Sequence, residues 1–339
     1  MTTAAAPAPT PAPTPNSAPT AASAPAKAPS ATTRAANAFV AAHVDEAAAL
    51  GTRLADLVAD PAALLRTARM GFAALADPEY RDGQIRIAPG IDPKEVVGVR
   101  LPLMEAVHRA YKKGTRRAAA AQLLDVSAAL LATQEIELRW LGIWDLGRSL
   151  PAEPERTWQL LRRAAAQATE WITVDTLAHP VGEGILLDGV RWSELDRLAA
   201  SANRWERRLV GSTLATMPFA KGMPGGRDTA TAARALTYVE ALIGDDEQTV
   251  QMSLSWALRN FAAVDQPAVV AFLEREAATA KATNDGHRAW VVRDSLEKIP
   301  PASAAGIKAT LEGIRRRQGA PSTSRAAAAA VPARTPREE

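Results

Sequence analysis

From residue 36 to residue 318 apolar residues recur at spacings of three and four, and no run alternates with period two for long. That spacing puts apolar side chains on one face of a 3.6-residue helix and leaves little that can form a half-buried strand. Helices rich in Ala, Leu, Arg and Glu are predicted over 37–59, 93–112, 116–132, 134–147, 154–169, 228–243, 247–263 and 284–298, among others. Pro, Gly and Asp clusters punctuate them, as at Asp60-Pro61, Pro89-Gly90, Pro224-Gly225-Gly226 and Pro300-Pro301. IRIA at 85–88 is too short to alter an all-α reading. Short links suggest helix pairs. Four segments, ELRWLGIWDL (137–146), NRWERRLVGSTL (203–214), QMSLSWALRNFA (251–262) and HRAWVVRDSLEKI (287–299), repeat a mixture of Trp and Arg. Recurring two-helix units predict a HEAT-like α-solenoid of stacked antiparallel pairs with a concave groove.

Residues 1–35 are almost all Ala, Pro, Thr and Ser, with Pro at 7, 9, 11, 13, 15, 19, 25 and 29. Pro at alternate positions opposes helix and removes ladder donors, so a disordered tail is expected there, and a second at 319–339. The helical repeat domain is expected to span 36–318. The net charge of +3 lies in the tails, which hold +2 and +1, and the helical core sums to zero. Any polyanion bound by the core must therefore meet cations gathered on one face. The chain has no Cys, which excludes disulfides, thiolate zinc sites and Cys nucleophiles and suits a reducing cytoplasm. No apolar run reaches the roughly 18 residues of a membrane span. No basic region precedes an apolar one at the N-terminus, so no signal peptide is expected.

Sixteen aromatic residues include eight Trp, so indoles are used selectively. In EWITVDTLAHPV (170–181) Trp171 and Asp175 stand four apart, on one helical face. A core helix accepts the indole and rejects the acid, and a surface helix does the reverse, so the pair suggests a concave site that is part apolar and part charged. In RWERRLVG, Arg204 and Arg208 share a face and Arg207 points elsewhere. In SWALRNF, Trp256 is followed by Arg259 at i+3. On successive inner helices these groups would place indoles, a carboxylate and guanidiniums in one groove. Guanidiniums clasp phosphates. Indole faces attract cations by about 0.5–2 kcal/mol. A carboxylate steadies a developing oxocarbenium ion or positions a water. A phosphodiester chain carrying a cationic base would meet all three.

These segments, in this order, resemble the AlkD-type DNA alkylation repair family of HEAT-like-repeat DNA glycosylases, over roughly residues 75–300. PEYRDG (78–83) and VVGVRLPLMEAV (96–107) are fainter echoes of it. The family's Trp-x-x-x-Asp pair falls on Trp171 and Asp175, its Trp-x-x-Arg on Trp205 and Arg208, and its W-a-L-R motif on Trp256 and Arg259. The resemblance implies that the indoles contact the lesion, Asp175 supports cleavage of the glycosidic bond, and the arginines hold DNA backbone, without base flipping. Two departures stand out. Ile172 occupies a position where relatives often carry Asp, and Met252 and Ser255 replace a Lys and a Gly before W-a-L-R. The implied activity is release of cationic N3- or N7-alkylated purines from duplex DNA, by a monomer needing no cofactor, no metal and no membrane. A non-catalytic HEAT-repeat scaffold for DNA or protein is the alternative.

KKGTRR (112–117) supplies Lys112, Lys113, Arg116 and Arg117 as weaker phosphate candidates, beside the reading of a solvated helix junction. Arg315-Arg316-Arg317 suits a helix C-terminus. The four His residues make no H-E-x-x-H motif. His179 lies four residues beyond Asp175, just before Pro180, where the helix is expected to end; a hydrogen bond orienting Asp175 would be its role. KGMPGG (221–226) and VGEGILLDG (181–189) lack nucleotide-binding spacing and read as loops.

Overall fold

A computed structural model describes residues 30–88 and 90–326. Among them fifteen α-helices form and no named strand; most links are short, the longer ones joining α3 to α4 and α10 to α11. They are α1 (Ala31–Asp56), α2 (Pro61–Ala74), α3 (Pro78–Ile87), α4 (Leu101–Gly114), α5 (Ala120–Leu131), α6 (Ile136–Ser149), α7 (Pro154–Gln167), α8 (Trp171–Leu187), α9 (Trp192–Ala199), α10 (Arg204–Thr216), α11 (Thr229–Leu242), α12 (Gln248–Phe261), α13 (Gln266–Thr283), α14 (Gly286–Asp294) and α15 (Pro301–Thr310). Successive pairs stack: α5 with α6, α7 with α8, α9 with α10, α11 with α12, α13 with α14. The second members pack on one another in the order α6, α8, α10, α12, α14, and α4 leads into this row. The architecture is an all-α solenoid.

The helices start where local chemistry stops the backbone from fraying. Asp60, Asp77, Glu170, Asn203, Asp265 and Asp285 each cap a helix by accepting from amides of its first turn. Proline occupies the first turn of several, including α2, α3, α7 and α13, where its missing N–H costs nothing.

Two hydrophobic clusters share the core. One reaches from Ala47 to Leu141 and the other from Leu124 to Leu311, with α5 and α6 contributing to both. The approach of α10 and α12 is unusually close, because a Cβ on Gly211 would lie 2.3 Å from Ser253 Oγ. A buried carboxylate sets the entry to α4: Glu137 of α6 accepts from the amides of Val97 (3.1 Å), Gly98 (2.6 Å) and Val99 (3.2 Å). Gly98 makes the turn at φ +97°, a conformation that disfavours other residues. Burial raises the carboxyl pKa of Glu137, and the three amides oppose that rise.

The structure corrects several expectations. α8 does not end at Pro180 but runs on to Leu187, so residues 181–187 of VGEGILLDG are helix rather than loop. Pro180 removes a single ladder bond, and packing of α8 against α6 and α10 on either side absorbs that loss. The stretch 93–100 is a 3-10 turn and extended chain, held by Glu137, and α4 begins only at Leu101. IRIA falls in the last turn of α3. The boundaries of the tails also shift. α1 starts at Ala31, with Ser30 as its cap. At the other end, residues up to 326 lie against the fold: Thr323 N donates to Gly244 O (2.9 Å) and Ser324 Oγ to Ala241 O (2.9 Å). The rest of both expected tails, 1–29 and 327–339, lies outside the described residues.

Candidate active site

A groove of about 930 Å³ runs along the inner row, walled by α3, α4, α6, α8 and the indole of Trp256 from α12. α8 forms its floor. Residues at a helical stripe, Trp171, Asp175, His179 and Glu183, face it in line. α4 supplies the facing wall through Leu101, Glu105, His108, Arg109 and Lys112.

Glu170 fixes where α8 begins. Its buried carboxylate accepts from the amides of Ile172 (2.5 Å) and Thr173 (2.9 Å), making Trp171 the first helical residue. Burial raises the Glu170 carboxyl pKa, opposed by those hydrogen bonds. The indole Nε1 of Trp171 donates to Ile87 O at the end of α3 (3.0 Å), and its ring packs on the N-terminal core. Trp256 packs on the C-terminal core. The two indoles thus reach one groove from two different cores.

Asp175 is clamped from behind. Arg208 of α10 donates from Nε to Oδ1 (3.1 Å) and from Nη2 to Oδ2 (2.7 Å), and Ser212 Oγ adds a bond to Oδ1 (2.6 Å). The carboxylate keeps 20% of its side-chain surface open to the groove, against 7% for the guanidinium. Arg208 Nη1 donates in turn to Thr249 O (2.7 Å) and Thr249 Oγ1 (3.1 Å), and the guanidinium stands 6.0 Å from the centre of the Trp171 ring. The phosphate-holding role expected of Arg208 is therefore ill-matched to its position. The residue is buried, and four internal hydrogen bonds occupy it, because α10 lies recessed between α8 and α12.

Other expected site residues stand apart. Arg204 lies at the exposed start of α10, pairs with Glu247 (3.4 Å) and stacks over Trp205, whose ring packs on the C-terminal core. Neither lines the groove. Arg259 is turned toward α14, bound to Asp294 Oδ2 (2.7 Å) and Asp294 O (2.8 Å), in a separate recess with Met252. The i+3 step from Trp256 rotates it off the groove face. Of KKGTRR, Lys112 lines the groove, while Lys113, Arg116 and Arg117 are exposed beyond it. Lys112 continues the α4 stripe through His108 at i+4; Lys113 lies a further 100° around the helix.

Several groove residues escaped the sequence reading. Trp140 and Trp144, four apart on α6, line it, and Trp144 stands 5.0 Å from His108, ring centre to ring centre. Their i,i+4 spacing was a usable signal. His108 in turn approaches the buried Asp145 (3.7 Å), which Arg148 holds at 2.7 Å. Arg109 and Lys221 also line the groove. Among the described residues, Arg109, Lys112 and Lys221 make no salt bridge. His179 makes no hydrogen bond to Asp175, contrary to the orienting role expected of it. Its pKa is lowered by burial, with Asp175 opposing. Burial raises the Glu183 carboxyl pKa, opposed by Lys112.

Among the described residues no group of three or more His, Asp or Glu is arranged to hold a metal ion, and no helix is long and apolar enough to cross a membrane. A family model described as DNA alkylation repair enzyme matches residues 68–299, which take in every wall of this groove. No curated protein matches the chain.

Proposed function

Because the chain belongs to the DNA alkylation repair enzyme family, we propose that it is a DNA glycosylase hydrolysing the N-glycosidic bond of cationic alkylated purines, such as 3-methyladenine and 7-methylguanine, in duplex DNA. One observation carries this reading: Trp171, Asp175 and Trp256 meet in a single groove whose rim holds Arg109, Lys112 and Lys221 free of salt bridges among the described residues. The free cations meet backbone phosphates. The indole faces flank the cationic base. Asp175, fixed by Arg208 and Ser212, presents a pre-oriented anion to the positive charge that grows on the sugar as the bond breaks. The base already carries its positive charge and leaves without protonation, so no strong acid is required.

The experiment is release of 7-methylguanine and 3-methyladenine from methylated duplex DNA, wild type beside Asp175→Asn. The expected outcome is release by wild type and a loss of about 10²–10³-fold in the variant, with DNA binding retained. One observation favours the alternative of a non-catalytic scaffold: every hydrogen bond Asp175 makes is internal, as in a structural ion pair. Under that reading neither protein releases base, and the variant binds DNA as well as wild type or slightly better.

A further inference from the structure

Hydrolysis leaves one proton to place, and Asp175 is poorly arranged to take it. Oδ1 accepts from two donors and Oδ2 from a guanidinium, so the carboxylate is built as a fixed charge. One helical turn further along α8, His179 faces the same groove and has no hydrogen-bond partner among the described residues. It sits where the main groove joins a side recess of about 380 Å³, lined also by Lys112, Glu183 and Lys221. A turn of α-helix is about 5.4 Å, so a water held between Asp175 and His179 is within reach of both.

Resting on the glycosylase reading, we infer that His179 is the general base for the attacking water. The C1′–N bond breaks and its electron pair returns to the purine, which leaves neutral. The water oxygen bonds to C1′. The water's proton passes to a ring nitrogen of His179 and from there to solvent. The surroundings suit the task. Asp175 and Glu183 flank the ring on its own helix; Glu105, His108, Arg109 and Lys112 face it from α4, and Lys221 from the turn after α10. α3, α6 and α12 bring no ionised side chain to the groove wall. Burial lowers the imidazole pKa from 6.5, so the ring is neutral and able to accept a proton at neutral pH.

The test is single-turnover release of 7-methylguanine by the full chain, measured from acid to mildly alkaline pH, with spontaneous release subtracted. Wild type, His179→Ala and His179→Gln are compared, with thermal melts and duplex affinity measured for each. The expected result is a rate in wild type that is flat above neutrality and falls in acid. Both variants should be slower by about 10²-fold, lack that acid limb and bind DNA unchanged, and free imidazole should partly restore His179→Ala. A rate within about twofold of wild type with the acid limb intact, or full activity in His179→Gln, would overturn the inference. So would weakened binding at an unchanged rate, which marks a DNA contact. Failure of wild type to release any base removes the glycosylase reading itself, and the base with it.

Discussion

At the Trp171 end of α8 the acidic side chain is locked from behind, whereas at the Glu183 end the titratable groups have no hydrogen bond or salt bridge among the described residues. Asp175 is held by α10 through Arg208 and Ser212, and Arg208 is held by α12 through Thr249. His179 and Glu183, on the same stripe of the same helix, have no such anchor among the described residues, though the charge of Asp175 acts on the first and that of Lys112 on the second. The difference follows from what lies behind each turn. The buried middle of α10 brings the side chains of Arg208 and Ser212 under Asp175, while opposite Glu183 the neighbouring α6 offers Gly147. One end is organised before anything binds, as electrostatic catalysis needs.

The largest effect should come from breaking the locked end. Arg208→Ala strands a mostly buried carboxylate and two acceptors of Thr249, so stability should fall by about 3 kcal/mol in denaturant melts. Base release should fall as well, since Asp175 loses its fixed orientation; an unchanged melt would show that the clamp is slack. A smaller effect is expected at the open end. Removing Lys112 or Lys221 should weaken duplex binding and lower the slope of log affinity against log salt by about one for each phosphate no longer neutralised. Arg204→Ala, outside the groove, should leave that slope unchanged. The smallest effect belongs to Glu183→Gln. Because the folded-state pKa of Glu183 is raised above 4.5, ionisation disfavours the fold as pH climbs through and beyond that value. The variant should therefore melt slightly higher than wild type at neutral pH, and the difference should vanish below pH 4.5.

Much of this was legible in the chain. The three-and-four spacing identified α5, α6, α7, α11 and α12 close to their observed bounds, and the ordered Trp-x-x-x-Asp and Trp-x-x-Arg spacings identified the family. Helix periodicity paired Trp171 with Asp175, and the expected row of inner helices added Trp256; the three share the groove. Arg204, Arg208 and Arg259 looked alike in sequence and proved different in place. One is exposed beside Glu247, one is buried under Asp175 and one is turned to Asp294. A one-dimensional pattern gives the angle of a side chain about its own helix, but not what the neighbouring helix presents there. For the same reason Pro180 read as a stop, although α6 and α10 hold the helix intact through it.

The all-α class and the pairing of helices follow from apolar periodicity and turn residues, which act within a few residues along the chain and so are written in it directly. The tertiary structure alone decided that the middle of α10 is recessed, that the Arg208 guanidinium is turned to Asp175 rather than offered outward, and that His179 beside it has no hydrogen-bond partner among the described residues. Those outcomes depend on pairings between residues more than thirty positions apart, whose distances are set by how closely whole helices pack: a missing side chain at Gly211 lets α12 approach α10 and brings Thr249 to Arg208.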